Sequence, residues 1–308
     1  MGRRREILEL AAMAARLREQ AGAARNANWL YRLVGAARAV ARRKLVAGWH
    51  RFEGAYVPLR DGTLHFVPRE LDLHGYTVLT KGDADQVNAP ILARFCAPGT
   101  AAVDVGANIG ELTVPFARAV GPEGACLAVE PIPFLAEALR RTAFANGLDW
   151  IEVFQCAASA GAAVANLDLR YGEGALIDSG GSRLVESAVA GSVQVATEPL
   201  DDILARSGVG ARKVSLIKID VEGHELPVLR GAEATLRRHR PALAIEFGND
   251  SSEARAGMAA LLQEHGYEPV GALFRHAVLP VNWRALMDRA YPLDEPGVVD
   301  ILFRVKRP

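Results

Sequence analysis

The chain has 308 residues, half of them apolar, and its 36 Lys and Arg are balanced by 36 Asp and Glu. That length suits one large domain or two modest ones, and the zero net charge gives no global reason to expect a nucleic-acid partner. Cys96, Cys126 and Cys156 are too few and too widely spaced for a disulfide framework or a compact zinc site, so each reads as a buried thiol beside an apolar run.

No stretch approaches the roughly 20 apolar residues that span a bilayer. The basic start resembles a signal peptide, but Glu6, Glu9, Arg16 and Arg18 interrupt its apolar part, and a soluble cytoplasmic protein is expected. Residues 1–50 read as a helical extension, with apolar spacing near 3.6 over 4–20 and 28–47. Ten Arg and one Lys against three Glu give this region a charge of +8, leaving −8 on the remainder. The first expectation is a cap with a solvated basic face; a surface for an anionic partner or membrane, or a homodimer contact, would fit the same pattern.

Residues 51–95 read as a hairpin and a lead-in helix. "GAYVPLRDGTLHFVP" gives two strands around an Asp-Gly turn, and "DADQVNAPILARFCAPG" a short helix ended by Pro98-Gly99. Residues 96–308 then alternate strands with helices. "TAAVDVG", "ACLAVEP" and "IEVFQCAAS" are the first three strands, separated by the helices "ELTVPFARAVG" and "PFLAEALRRTAFANG". Residues 160–196 break the alternation with Gly and small polar residues, an insert of antiparallel strand and loop. "PLDDILARSG" resumes with a helix, followed by the strand "KVSLIKIDVEG", one helix over "HELPVLRGAEATLRRH", the strand "RPALAIEFG", the helix "EARAGMAALLQEHG", a strand at "YEPV" and a closing strand "DILFRVKR". This alternation predicts a mostly parallel sheet covered on both faces, with ligands at the carboxyl edge of its strands.

The first strand ends in Asp104-x-Gly106-x-Asn108-x-Gly110, and the second ends at Glu130. Glycine lets backbone approach a ligand, and an acid closing the second strand can accept hydrogen bonds from a ribose. A dinucleotide site is disfavoured, because Asn108 stands where G-x-G-x-x-G needs its second glycine. Asp104 would also face a diphosphate poorly. S-adenosylmethionine has no phosphate and carries an amino group and a sulfonium, so the acidic turn favours a methyl donor.

The stretch "SLIKIDVEGHELPVLRGAE", Ser215 to Glu233, decides between them. With Val103–Gly110 and Val129–Pro131 upstream, it resembles the FkbM-type methyltransferases over roughly residues 96–250. The resemblance implies a Rossmann-like class I methyltransferase α/β fold: a mostly parallel seven-stranded sheet with an antiparallel final strand, here joined by the N-terminal helices and hairpin. It implies S-adenosylmethionine as donor, with Asp104, Gly106, Asn108, Gly110 and Glu130 in contact with it and Ala157 beside the adenine. The position where many methyltransferases recognise adenine with an acid holds Gln155-Cys156-Ala157-Ala158 instead. The implied reaction is O-methylation of a small molecule such as a sugar, polyketide or other secondary metabolite.

Asp220 and Glu246 end the fourth and fifth strands, and His224 opens the next helix, so these three are the candidate catalytic residues, with a side chain taking the acceptor proton. Each has a plainer reading: Asp220 as a helix cap, His224 as a structural histidine, Glu222 as a loop tie, Glu225 as an answer to helix-end electrostatics, Lys218 as a partner for a carboxylate. No metal is assigned. The residues also permit magnesium on Asp220, Glu246 and Asn249. Methyl transfer to nitrogen is the alternative these motifs leave open. An NAD(P)-dependent oxidoreductase would lack both its glycine fingerprint and a Tyr-x-x-x-Lys relay, and a non-catalytic helical adaptor would rest on residues 1–50 alone.

Overall fold

The computed structural model describes residues 48–49, 52–70, 73–81, 88–171, 177–185, 187–188, 192–247, 251–274, 277–288 and 300–306. The helices expected over 4–20 and 28–47 lie outside these residues, as does Asn249. The chain divides into two compact units, residues 1–85 with 169–180, and residues 86–168 with 181–308.

In the first unit, β1 (Gly54–Pro58) pairs antiparallel with β2 (Leu64–Pro68). Asp61 builds the turn, accepting from the Thr63 amide and hydroxyl at 2.9 Å each. The Trp49 indole donates to the Pro68 carbonyl at 2.7 Å. Helix α1 (Leu73–Lys81) follows; its β-branched and aromatic residues gave no helical signal.

The second unit is built on a sheet whose parallel strands are β3 (Ala101–Val105), β4 (Ala125–Val129), β5 (Ile151–Phe154), β10 (Val214–Ile219) and β11 (Ala242–Glu246). The closing strand β14 (Asp300–Val305) runs antiparallel between β11 and β12 (Tyr267–Phe274). β13 (Ala277–Leu279) adds an eighth strand at the edge, giving the order β13-β12-β14-β11-β10-β3-β4-β5. This is the expected Rossmann-like α/β sheet, one short strand wider than expected.

Alternation along each strand feeds two cores. One face carries Val103, Val105, Leu127, Ile217, Ile219, Leu243 and Ile245. The other carries Ala102, Cys126, Leu216, Ala242 and Ala244 beneath α2 (Ala89–Leu92) and α3 (Thr113–Val120), where Phe116 is fully buried. Small side chains here let a helix bearing a phenylalanine lie close to the sheet. Helix α4 (Pro133–Ala145) adds Leu139 against Ala128. All three cysteines are buried free thiols.

The insert is a second sheet. β6 (Ala157–Ala158) pairs parallel with β9 (Val193–Glu198), and β9 pairs antiparallel with β7 (Ala163–Tyr171), with β8 (Ile177–Val185) fourth in the order β6-β9-β7-β8.

The single helix expected over 224–239 is two, α6 (Glu225–Arg230) and α7 (Glu233–His239). Gly231 divides them because it passes against the end of β6: a Cβ there would lie 2.0 Å from the Ser159 carbonyl oxygen. The new helix start is capped from another element, since Asp201 of α5 (Leu200–Arg206) accepts from the Ala234 and Thr235 amides at 2.8 Å each. Helices α8 (Ser252–Glu264) and α9 (Trp283–Asp288) follow, α9 being unread in the sequence. Gly231→Ala should lower stability by about 1–3 kcal/mol through overpacking, checked by urea unfolding; an unchanged midpoint would show that the neighbouring chain yields freely.

Candidate active site

The glycine turn leaves β3 at Val105 and is strained in a way its sequence explains. Gly106 has φ 83, Asn108 has φ 50 and Gly110 has φ 93, and Asn is among the few non-glycine residues that tolerate the left-handed region. Gly106 and Ala107 both donate to the Val129 carbonyl, at 2.9 and 3.2 Å, tying the turn to the end of β4. Glu130, buried at that end, accepts from the Asn108 amide and the Ile132 amide at 2.8 Å each. The acid expected to meet a ribose therefore also fixes the turn. Ala157 is buried in β6, with Thr197 its partner on β9.

Gly106 has a second neighbour that the sequence does not reveal. A Cβ at this position would lie 1.9 Å from the Asp220 carbonyl oxygen. The glycine is required because two chain segments touch there, whether or not a ligand is bound. The Asp220 amide completes the contact by donating to the Val105 carbonyl at 3.1 Å.

Asp104 lies inside the sheet, 2% exposed, with its carboxylate accepting from the Thr113 hydroxyl at 2.6 Å. Burial pushes it up to about 6, with Asp220 and Asp300 adding to the effect and the Thr113 bond and Lys218 opposing it. Its neighbour across the register is Lys218, 1% exposed. The Lys218 ammonium reaches Asp220 Oδ2 at 3.0 Å and Asp300 Oδ1 at 2.9 Å. Burial alone would lower this lysine; the Asp220 and Asp300 carboxylates outweigh it and hold the ammonium charged.

Glu246 closes β11 directly opposite Asp300 of β14 and is 8% exposed. Burial pushes its carboxyl up to about 10, reinforced by the charges of Asp220 and Glu222 and by a hydrogen bond with Asp220. This environment favours its protonated form, which can donate where Asp220 accepts. Glu222 joins them: carboxylate oxygens of Asp220, Glu222 and Glu246 all lie within 4.8 Å of one another. Such hard oxygens could hold magnesium, with Glu222 rather than Asn249 as the third described donor. Glu222 itself has φ 55, in a loop braced by the buried Glu225, whose Oε1 accepts from the Val221 and Gly223 amides at 3.0 and 3.2 Å.

His224 takes the N-cap position of α6 without a side-chain cap bond, and its Nε2 lies 2.9 Å from the Ser159 hydroxyl. Burial lowers it from its ordinary 6.5, so the ring is neutral near pH 7. Asp220 and Glu246 thus meet as expected, while the His224 contact recorded is with Ser159. Asp300, Thr113 and Ser159 were missed: a lone acid opening a strand and isolated hydroxyls carry no spacing signal.

Among the described residues no helix is long and apolar enough to cross a membrane. A family profile described as Methyltransferase FkbM domain matches residues 104–269. The chain is 28% identical over 231 residues to Methyltransferase sdnD of Sordaria araneosa, covering 65% of this chain and 88% of that one. Among solved structures, Methyltransferase FkbM from Methylobacillus flagellatus is 18% identical with a TM-score of 0.43, covering 86% of this chain; this chain spans 59% of that one. An S-adenosylmethionine-dependent O-methyltransferase from Thermotoga maritima is 15% identical with a TM-score of 0.41, covering 72% of this chain and 66% of the other.

Two outcomes follow from this geometry. Gly106→Ala should destabilise the folded chain by at least about 2 kcal/mol, because its Cβ meets backbone in a left-handed conformation; a folded variant of normal urea midpoint would contradict the contact. A histidine lowered by burial contributes stability that is present above 6.5 and is lost as pH falls through its folded value. Between pH about 7.5 and about 5, His224→Gln should therefore lose less stability than the parent chain, measured by urea unfolding.

Proposed function

Because the chain belongs to the FkbM methyltransferase family, we propose that it transfers the methyl group of S-adenosylmethionine to a hydroxyl of a small molecule. The observation that carries this reading is the contact between turn and acid. Gly106 of the donor-binding turn packs on the carbonyl of Asp220, so a donor resting on the turn has its reacting end near the Asp220–Glu246 pair. In the reaction the acceptor oxygen attacks the methyl carbon in line with sulfur. The carbon–sulfur bond breaks, and its electron pair stays on sulfur as S-adenosylhomocysteine. The acceptor proton passes to Asp220, while neutral Glu246 donates to that carboxylate and orients it. His224, neutral and held by Ser159, is the second candidate for the proton. On the donor side, Asn108, Gly110, Glu130 and Ala157 line the same turn and strand ends, and Asp104 supports them from beneath.

The secondary-metabolite acceptor rests on the family resemblance. The carboxylate cluster supports magnesium as a second reading, in which a cation on Asp220, Glu222 and Glu246 would acidify the hydroxyl.

Calorimetric titration should show binding of S-adenosylmethionine and S-adenosylhomocysteine and none of NAD or NADP; the reverse would remove the assignment. With radiolabelled donor and a panel of hydroxylated and amine-bearing small molecules, label should appear on a hydroxyl. Asp220→Asn should then lower kcat by about 10²–10⁴ with donor affinity nearly unchanged; His224→Ala showing that loss instead would move the proton to His224. Activity should survive exhaustive EDTA treatment; loss restored by magnesium would establish the cation reading.

A further inference from the structure

We propose that Lys218 is a positioning residue for methyl transfer: its buried ammonium clamps Asp220 to Asp300 and fixes where the Asp220 carboxylate stands. This rests on the reading of Asp220 as the proton acceptor.

The case begins with the strand. β10 reads Val-Ser-Leu-Ile-Lys-Ile, and Leu216, Ile217 and Ile219 are fully buried. Lys218 is buried to the same degree in their midst. A leucine or methionine would fill such a position, and well-packed apolar residues are often as stabilising as a buried ion pair, or more so. Stability alone is weak reason for a lysine here.

What the lysine does is set by register. Lys218 stands opposite Asp104 on β3 and Ala244 on β11, and one pleat further toward the edge the same face presents Asp220 just past the end of β10, Glu246 at the end of β11 and Asp300 at the start of the antiparallel β14. The ammonium ends between Asp220 and Asp300, at 3.0 and 2.9 Å. Asp300 is 12% exposed at its side chain, whereas Asp220 is 44% exposed. Asp300 is therefore the buried end of the ion-paired set and Asp220 the end presented to solvent. One Asp220 oxygen is engaged by Lys218, and the carboxyl of Glu246 supports the group from the next strand. An aspartate half open to water would otherwise rotate among several rotamers, and repulsion from Glu222 would drive it outward. The buried cation opposes both.

The test uses the full chain and the acceptor found with the labelled donor. Lys218→Met should remain folded, bind S-adenosylmethionine within about threefold of the parent, keep the acceptor KM within about threefold and lose about 10- to 10²-fold in kcat. Lys218→Arg, which keeps the charge, should recover part of that loss. A double-mutant cycle separates positioning from general damage. If Lys218 acts through Asp220, the Lys218→Met/Asp220→Asn double variant is no slower than Asp220→Asn alone. Multiplicative losses, or a folded Lys218→Met with normal kcat, would overturn the clamp. Full activity in Asp220→Asn would instead overturn the reading of Asp220 as proton acceptor, and the clamp with it. Should Lys218→Met fail to fold, Asp300→Asn takes its place. It leaves the ammonium present but loosens its anchor, and kcat should fall by about tenfold with donor affinity unchanged; parental kcat there would equally reject the proposal.

Discussion

Lys218 puts a positive charge at a point of the sheet where 1% of the residue is exposed, among the carboxyl groups of Asp104, Asp220, Glu246 and Asp300. Burying either sign alone is prohibitive, and burying an excess of one sign is nearly so. The arrangement is sustained because three different devices share the load. The ammonium pairs with Asp220 and Asp300, the Thr113 hydroxyl donates to Asp104, and Glu246 keeps its proton. Acids within β3, at the ends of β10 and β11 and at the start of the antiparallel β14 can then share one edge of the sheet, and the chemistry proposed for that edge depends on this.

The edge is also stiff. The glycine turn hangs from Val129, Glu130 bridges the turn to the start of α4, and the turn in turn packs on Asp220. Glu225 holds the loop after Asp220 by two amides. Reacting groups carried on strand ends and braced loops keep their geometry better than groups on free loops. The glycine turn and the acid are therefore joined by a continuous set of contacts.

Most of this architecture was legible in the sequence, because strands buried on both faces read as apolar runs and the helices between them as spaced ones. The breaks were not. Gly231 sits in a strong helical pattern, where one glycine costs little, and only the passing Ser159 carbonyl explains the interruption. β13 and α9 are short and partly polar, below the length at which periodicity speaks. At the site, residue types were legible and their causes were not. Gly106 reads as room for a ligand, and the sequence does not reveal that the Asp220 carbonyl also leaves no space for a side chain there. Glu130 reads as a ribose acceptor and also holds the turn. Asp300 opens a strand as many solvated acids do, and nothing in one sequence says that it faces Glu246 and meets Lys218.

Gly106, Asn108, Glu130 and Asp220 are bonded or packed to one another, so altering one strains the rest. The insert is tied to this edge differently. Its strands β7 and β9 pair with each other, and the run of chain just before it meets the proposed reacting edge through the Ser159–His224 hydrogen bond and the close passage of Ser159 beside Gly231. Those two contacts hold the position of β6 and, through it, of Ala157, so this part of the edge is set by chain distant in sequence from the glycine turn.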